Sequence, residues 1–188
     1  MKRSRINQAI KEACNYFEEH HWALPPEPRW DVTDFGLGDF EKYGLVLINL
    51  AEENEYCEKL MFGKKGQITP AHTHKFKKED IIVRQGVLKV QVWLGRPDRS
   101  NQESFDVQVN GSMKHVESGT ILTLSAGERV TLTPGIFHKF YPDSDECIIG
   151  EVSTKNDDLN DNVFADPEIG RYSKIIEDEP PIVKLLSD

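Results

Sequence analysis

Nine stretches of four to eight residues, at 43–49, 57–62, 79–84, 87–93, 104–109, 120–124, 128–133, 138–141 and 146–153, are divided by residues that bend a chain. The dividers at 63–66, 95–100, 125–127 and 142–145, with Asn110-Gly111 and Pro134-Gly135, are rich in Gly, Pro, Asn, Asp and Ser. Asn110-Gly111 is a strong hairpin signal, because both residues accept positive φ. Short β-segments at this spacing leave a sandwich or a barrel as the architecture. With 188 residues the chain can bury such a core without disulfides. We therefore read one domain over 1–188, with a helix and linker at 1–28, a β-barrel at 30–153 and a tail at 154–188.

The leading segment has a different period. Ile6, Ile10, Ala13, Cys14 and Phe17 recur at three- and four-residue spacing, opposite Lys11, Glu12, Glu18 and Glu19. This predicts an amphipathic helix capped by Ser4 and ending near His20 and His21, before Pro25, Pro26 and Pro28 stop it. His20 and His21 point different ways on a helix and read as surface residues. The tail turns polar after Val152, yet its aromatics and prolines argue that it folds back over the barrel.

Charge narrows the functional classes. Thirty-two acidic against 23 basic residues give a net charge of −9, with no basic run long enough to follow a phosphate backbone, so nucleic acid is not expected as a partner. The apolar runs are far shorter than the ~20 residues of a membrane-spanning helix, so no membrane partner is expected either. Cys14, Cys57 and Cys147 are widely spaced and odd in number. They fit buried thiols in a reducing compartment, and the expected location is the cytoplasm.

Chemistry concentrates in 66–86. His72 and His74 fall on one face of a strand, because side chains alternate with a period of two. Glu79 follows soon enough to return on the next strand with an oxygen ligand. Downstream, Pro134-Gly135 delivers His138 at the start of another strand. Three imidazoles and one carboxylate suit Mn, Fe, Co, Ni or Zn, and leave positions on the ion for a bidentate substrate.

These residues resemble the cupin superfamily. Gly66, His72, His74, Glu79 and Gly86 meet the intervals of its first motif. Pro134, Gly135 and His138 match its second, with Pro142 standing where an asparagine is usual. The resemblance implies an all-β, jelly-roll β-barrel, a metal held by His72, His74, Glu79 and His138, and a homodimer. The wider chain is similar to the D-lyxose isomerase family of cupins. That likeness is carried by residues 30–40, Tyr56-Cys57-Glu58-Lys59, His72-Thr73-His74 with Lys77-Lys78-Glu79-Asp80, Phe137-His138, Gly150-Glu151-Val152-Ser153 and Glu177-Asp178-Glu179-Pro180. It implies a metal-dependent isomerase of free monosaccharides, interconverting D-lyxose with D-xylulose and D-mannose with D-fructose, with Mn2+ taken first and Zn2+, Co2+, Fe2+ or Ni2+ as alternatives.

Aldose–ketose isomerisation through a cis-enediol needs a carboxylate to move a proton between adjacent carbons and a donor to steady the developing oxyanion. Lys59 is the candidate donor, since it shares a strand face with Cys57 and Met61; an edge lysine snorkelling to solvent is the plain alternative. Three carboxylates compete as base. Glu168, in a tail segment that lids the barrel mouth, is taken ahead of Glu151 on the last barrel strand, and Glu79 follows. Arg171 in the same tail is expected at the sugar hydroxyls, and Phe140, two residues after His138, is expected to wall the sugar or pack the core. Other readings remain: a cupin glucose-6-phosphate isomerase using Lys75, Lys77 and Lys78 for phosphate, a non-catalytic sugar sensor, and a dioxygenase.

Overall fold

The computed structural model describes residues 1–97, 103–157, 160–169 and 174–188. Arg171 and the far part of the turn at 95–100 lie outside them. The elements run α1 (Arg3–Glu19), β1 (Arg29–Thr33), α2 (Phe40–Tyr43), β2 (Leu45–Glu52), β3 (Tyr56–Lys64), β4 (His72–His74), β5 (Glu79–Gln85), β6 (Val87–Leu94), β7 (Ser104–Val109), β8 (Ser112–Glu117), β9 (Ile121–Ser125), β10 (Arg129–Leu132), β11 (Ile136–Pro142), β12 (Glu146–Thr154) and β13 (Asn162–Phe164). Two antiparallel sheets result, ordered β1-β2-β3-β12-β5-β10-β7-β8 and β13-β4-β11-β6-β9. This is the jelly-roll barrel that the cupin resemblance implies, within the sandwich or barrel to which the segment pattern points.

The larger sheet is covered on both faces beneath α1. On β2, Leu45 and Leu47 join the core between the sheets, while Val46 and Ile48 join a second core under the helix. A strand buried on both sides reads as a continuous apolar run, which is why Leu45-Val46-Leu47-Ile48 shows no alternation. Ile148 and Ile149 on β12 divide in the same way. The helix contributes Ile6, Ala9, Ile10, Ala13 and Phe17, all at most 2 % exposed. Phe17 meets Phe62 edge-on, with ring centroids 6.3 Å apart.

Ser4 does not cap α1. Lys2 occupies the cap position and its side chain makes no capping bond. The tail supplies the missing acceptor instead: Asp178 accepts the Ser4 backbone N–H at 2.9 Å and its hydroxyl at 2.7 Å. A carboxylate at a helix N-terminus is favourable for the dipole as well as for the unpaired N–H groups. Beside it, Arg3 is buried between Glu177 and Asp188, each 2.6 Å from Nη2. The tail thus does two jobs: β13 extends the smaller sheet, and 174–188 wraps the helix and lies along β1, with Leu185 bridging Trp30.

Four strands fall outside the nine segments read from the sequence: β1, β4, β8 and β13. Strand β8 pairs with β7 through the Asn110-Gly111 turn that the sequence marks, but nearly all of it is exposed and it carries no apolar alternation. In urea unfolding, Phe17→Ala is expected to lower stability by about 3–5 kcal/mol, whereas Met113→Ala on β8 changes it by less than about 0.5 kcal/mol.

Candidate metal centre and catalytic cavity

Strands β4 and β11 are paired so that His72 stands opposite His138, and His74 lies one repeat along β4 on the same face. Glu79 comes from β5 in the other sheet, so the cluster spans the barrel. Gly66 and Gly86, which flank this run, have φ of 95° and 88°, a region that L side chains rarely adopt. At Gly86 an added Cβ would also strike Ser144 and the Glu146 carbonyl.

The four ligand atoms of His72, His74, Glu79 and His138 lie within 4.8 Å of one another. Glu79 Oε1 is 3.1 Å from His74 Nε2 and 3.0 Å from His138 Nε2. The outer ring nitrogens face acceptors: His72 Nδ1 is 2.9 Å from the Pro70 carbonyl and His138 Nδ1 is 3.3 Å from that of Ile136. A proton on each Nδ1 leaves the Nε2 lone pair for the interior. Burial, with His138 and His74 alongside, pushes the His72 imidazolium well below its usual range, so the ring is the neutral, metal-binding form. His138 Nε2 is buried and, despite its closeness to Glu79, lacks an aligned hydrogen-bond partner among the described residues. An orphaned lone pair among three further donors fits a divalent cation.

A row of buried charge runs away from this cluster. Lys77 Nζ is 3.0 Å from Glu79 Oε2 and donates at 2.8 Å to Glu151 Oε1. Lys59 Nζ is 3.5 Å from the same Glu151 oxygen and donates to Asn156 Oδ1 at 2.9 Å. Burial works against the charges of Lys77, Glu79 and Glu151, but the neighbours prevail. Glu151 and Glu79 outweigh desolvation and raise the Lys77 ammonium above its ordinary range. Lys59 and Lys77 likewise hold the Glu151 carboxyl below its usual range, while Lys77 and His74 hold Glu79 well below. Both carboxylates are therefore ionised at neutral pH.

His72, His74, Glu79, Lys77, Glu151 and Lys59 open on one cavity that is partly open to solvent. Its apolar wall is Phe35, Leu45, Leu47, Met61, Phe140 and Phe164; Thr69 and Asn162 add polar atoms. Of the residues named from the sequence, His72, His74, Glu79, Lys59, Glu151 and Phe140 line this cavity, and His138 joins the ligand cluster. Glu168 does not: it is exposed and absent from the lining. Asp166 Oδ1 accepts its backbone N–H at 3.0 Å, within a turn on the outside of the tail. The sequence reading passed over Lys77 as a member of this row. Its spacing of two from Glu79, on a strand approach, was the available signal. Phe35, Asn162 and Phe164 carried none, because loop and tail residues reach the cavity only through tertiary packing.

A two-sheet jelly roll enclosing a three-histidine, one-glutamate cradle is a cupin-type arrangement that could hold a metal ion. The profile of the D-lyxose isomerase family matches residues 27–188. Among curated relatives, a D-lyxose/D-mannose isomerase of Escherichia coli O157:H7 is 33% identical, covering 100% of this chain and 98% of its own. One of Serratia proteamaculans is 34% identical over 96% and 94%. The chain belongs to the D-lyxose isomerase family. A solved L-ribose isomerase of Cellulomonas parahominis superposes with a TM-score of 0.70 at 17% identity, covering 94% of this chain and 98% of that one, a likeness of fold.

Metal binding should stabilise the fold by mass action, about 2.7 kcal/mol at a hundredfold excess over Kd. Thermal unfolding with Mn2+ or Co2+ is expected to shift upward for the native chain and not for His72→Ala.

Proposed function

We propose that this chain is a metal-dependent aldose–ketose isomerase of free sugars, interconverting D-lyxose with D-xylulose and D-mannose with D-fructose. The observation that carries the reading is the row Glu79, Lys77, Glu151, Lys59 lining one cavity with His72 and His74, while His138 joins those two imidazoles and Glu79 in the ligand cluster. The names of the relatives support the choice of sugars.

A divalent ion held by His72, His74, Glu79 and His138, with Mn2+ the first choice, would supply Lewis acidity to two adjacent sugar oxygens. The chain's own residues handle the proton. Glu151, kept ionised by two ammonium groups, takes the hydrogen at C2 of the aldose as a proton. The C2–H electron pair forms the C1–C2 double bond, and the carbonyl electrons pass to O1, which gains a proton from a lysine ammonium. The enediol collapses in reverse: O2 returns its proton to the lysine as the C2–O2 double bond forms, and the Glu151 carboxyl delivers its proton to C1. Lys59 and Lys77, both beside Glu151, are the donors. Phe35, Met61, Phe140 and Phe164 keep bulk water from the enediol. In this reading the base role shared between Glu168 and Glu151 falls to Glu151, since Glu168 lies outside the cavity lining.

A phosphosugar reading needs a cationic pocket. Lys75 is exposed and bonded to the Asn160 carbonyl, Lys78 is exposed, and Lys77 is committed to Glu79 and Glu151. The proposal extends to a cytoplasmic homodimer: Cys14, Cys57 and Cys147 are free thiols, and β8 offers a strand edge to a second copy.

Ketose formation from D-lyxose and D-mannose, assayed after EDTA treatment and metal add-back, is expected, with fructose 6-phosphate turned over far less. No ketose with any divalent metal overturns the reading; sugar binding by calorimetry without product would leave a sensor in its place. Glu151→Gln is expected to lower kcat by about 10²–10⁴-fold, and Glu168→Gln by far less.

A further inference from the structure

We propose that Asp161, at the lead-in to β13, is the positioning residue of the metal centre, fixing the His74 imidazole and the turn that carries Lys77. The inference rests on reading His72, His74, Glu79 and His138 as a metal cradle. Asp161 is 4 % exposed and meets the strip between His74 and Glu79 at every backbone N–H from 75 to 77. Its carbonyl accepts from Lys75 at 3.1 Å, Oδ1 from Phe76 at 2.8 Å and Oδ2 from Lys77 at 3.1 Å. The same Oδ2 faces His74 Nδ1 at 3.6 Å. That nitrogen is buried and has no hydrogen-bond partner among the described residues, whereas His72 and His138 turn theirs to backbone carbonyls. An imidazole that offers Nε2 to a cation must carry its proton on Nδ1, and a carboxylate beside that proton favours this tautomer and raises ring basicity. One side chain therefore ties down a ligand of the ion and the approach of a lysine to the reacting sugar.

Register continues the connection. Asn162 stands opposite His74 and Phe164 opposite His72, and Ala165 N–H donates to the Ala71 carbonyl at 2.8 Å. The tail strand and the metal strand are thus one hydrogen-bonded unit. Whatever orders one orders the other, and by linkage an ion that favours the ordered cradle must also favour the ordered turn.

Asp161→Asn tests this, because the amide keeps the size and one acceptor but sets an NH2 against N–H groups and removes the charge. Binding of Co2+ is followed by its d–d absorption, with unfolding of the metal-free protein in EDTA measured beside it. Asp166→Asn, whose carboxylate accepts the Glu168 N–H away from the cavity, is the control. Asp161→Asn is expected to raise the Co2+ Kd by about 10–100-fold and alter the spectrum, with the control unchanged. Native Kd and spectrum in Asp161→Asn overturn the proposal. Failure of the native chain to take up Co2+ overturns the cradle itself, and this inference with it. Should Asp161→Asn not fold, hydrogen exchange on the native chain decides: Co2+ is expected to slow the amides at 75–77 relative to β8, and no slowing overturns the proposal.

Discussion

A carboxylate buried to 2 % exposure in the middle of a barrel is the constraint on which this structure depends. Glu79 survives there because its two oxygens serve different partners. Oε1 faces His74 and His138, and Oε2 faces the Lys77 ammonium. Desolvating an unpaired carboxylate is prohibitive, and such a group would sooner take up a proton. The divided set of partners keeps Glu79 charged, which leaves it able to hold a cation on one side and makes it the first member of a charge row on the other.

That arrangement imposes register on both sheets. Glu79, Ile81 and Val83 face inward along β5, and β12 brings Glu151 opposite Ile81 and Ser153 opposite Glu79. A slip of one residue in either strand would turn the carboxylates to the outer face and bring Asp80 and Val152 inside. The pairing of β4 with β11 is equally committed, since His72 stands opposite His138 at its one registered position. Apolar packing fixes these registers from both sides of the larger sheet, with Ile149 and Met61 in the barrel core and Ile148 and Phe62 under α1. The fold positions the chemistry by making any alternative pairing bury charge in the wrong place.

Much of this was legible in the sequence where local pattern and chemistry coincide. The His72, His74, Glu79 and His138 set followed from period-two spacing and from motif intervals, and the barrel followed from turn residues at regular distance. Lys59 was legible as a charge on a strand face shared with Cys57 and Met61, and Glu151 as a carboxylate on the last barrel strand. What local pattern does not carry is the contribution of the tail. Asp161, Asn162 and Phe164 enter the site through pairing of β13 with β4, a contact across about ninety residues for which three short polar and apolar residues leave no periodicity. The capping of α1 by Asp178 has the same origin: Ser4 satisfies the sequence rule for a cap, but the carboxylate that does the work lies 174 residues away. Glu168 illustrates the converse, a charge near the right place in sequence whose turn faces solvent.

The charge row bears on why such a centre is kept. Glu79, Lys77, Glu151 and Lys59 are each at most 6 % exposed, and removing four charges from water is opposed by desolvation at every member. A barrel of this size packed with leucine and valine at the same positions would be at least as stable, because buried ion pairs seldom outperform apolar packing. Stability therefore does not account for the row. Under the proposed mechanism its alternation has a chemical use: a carboxylate flanked by two ammonium groups is ionised and ready to accept a proton, while each ammonium has one to give. The lysines also neutralise the barrel interior in a chain whose net charge is −9, so that the carboxylates do not repel an electron-rich enediol. In the proposed isomerase, the cost of burying the row is what moving a proton between adjacent carbons away from water requires.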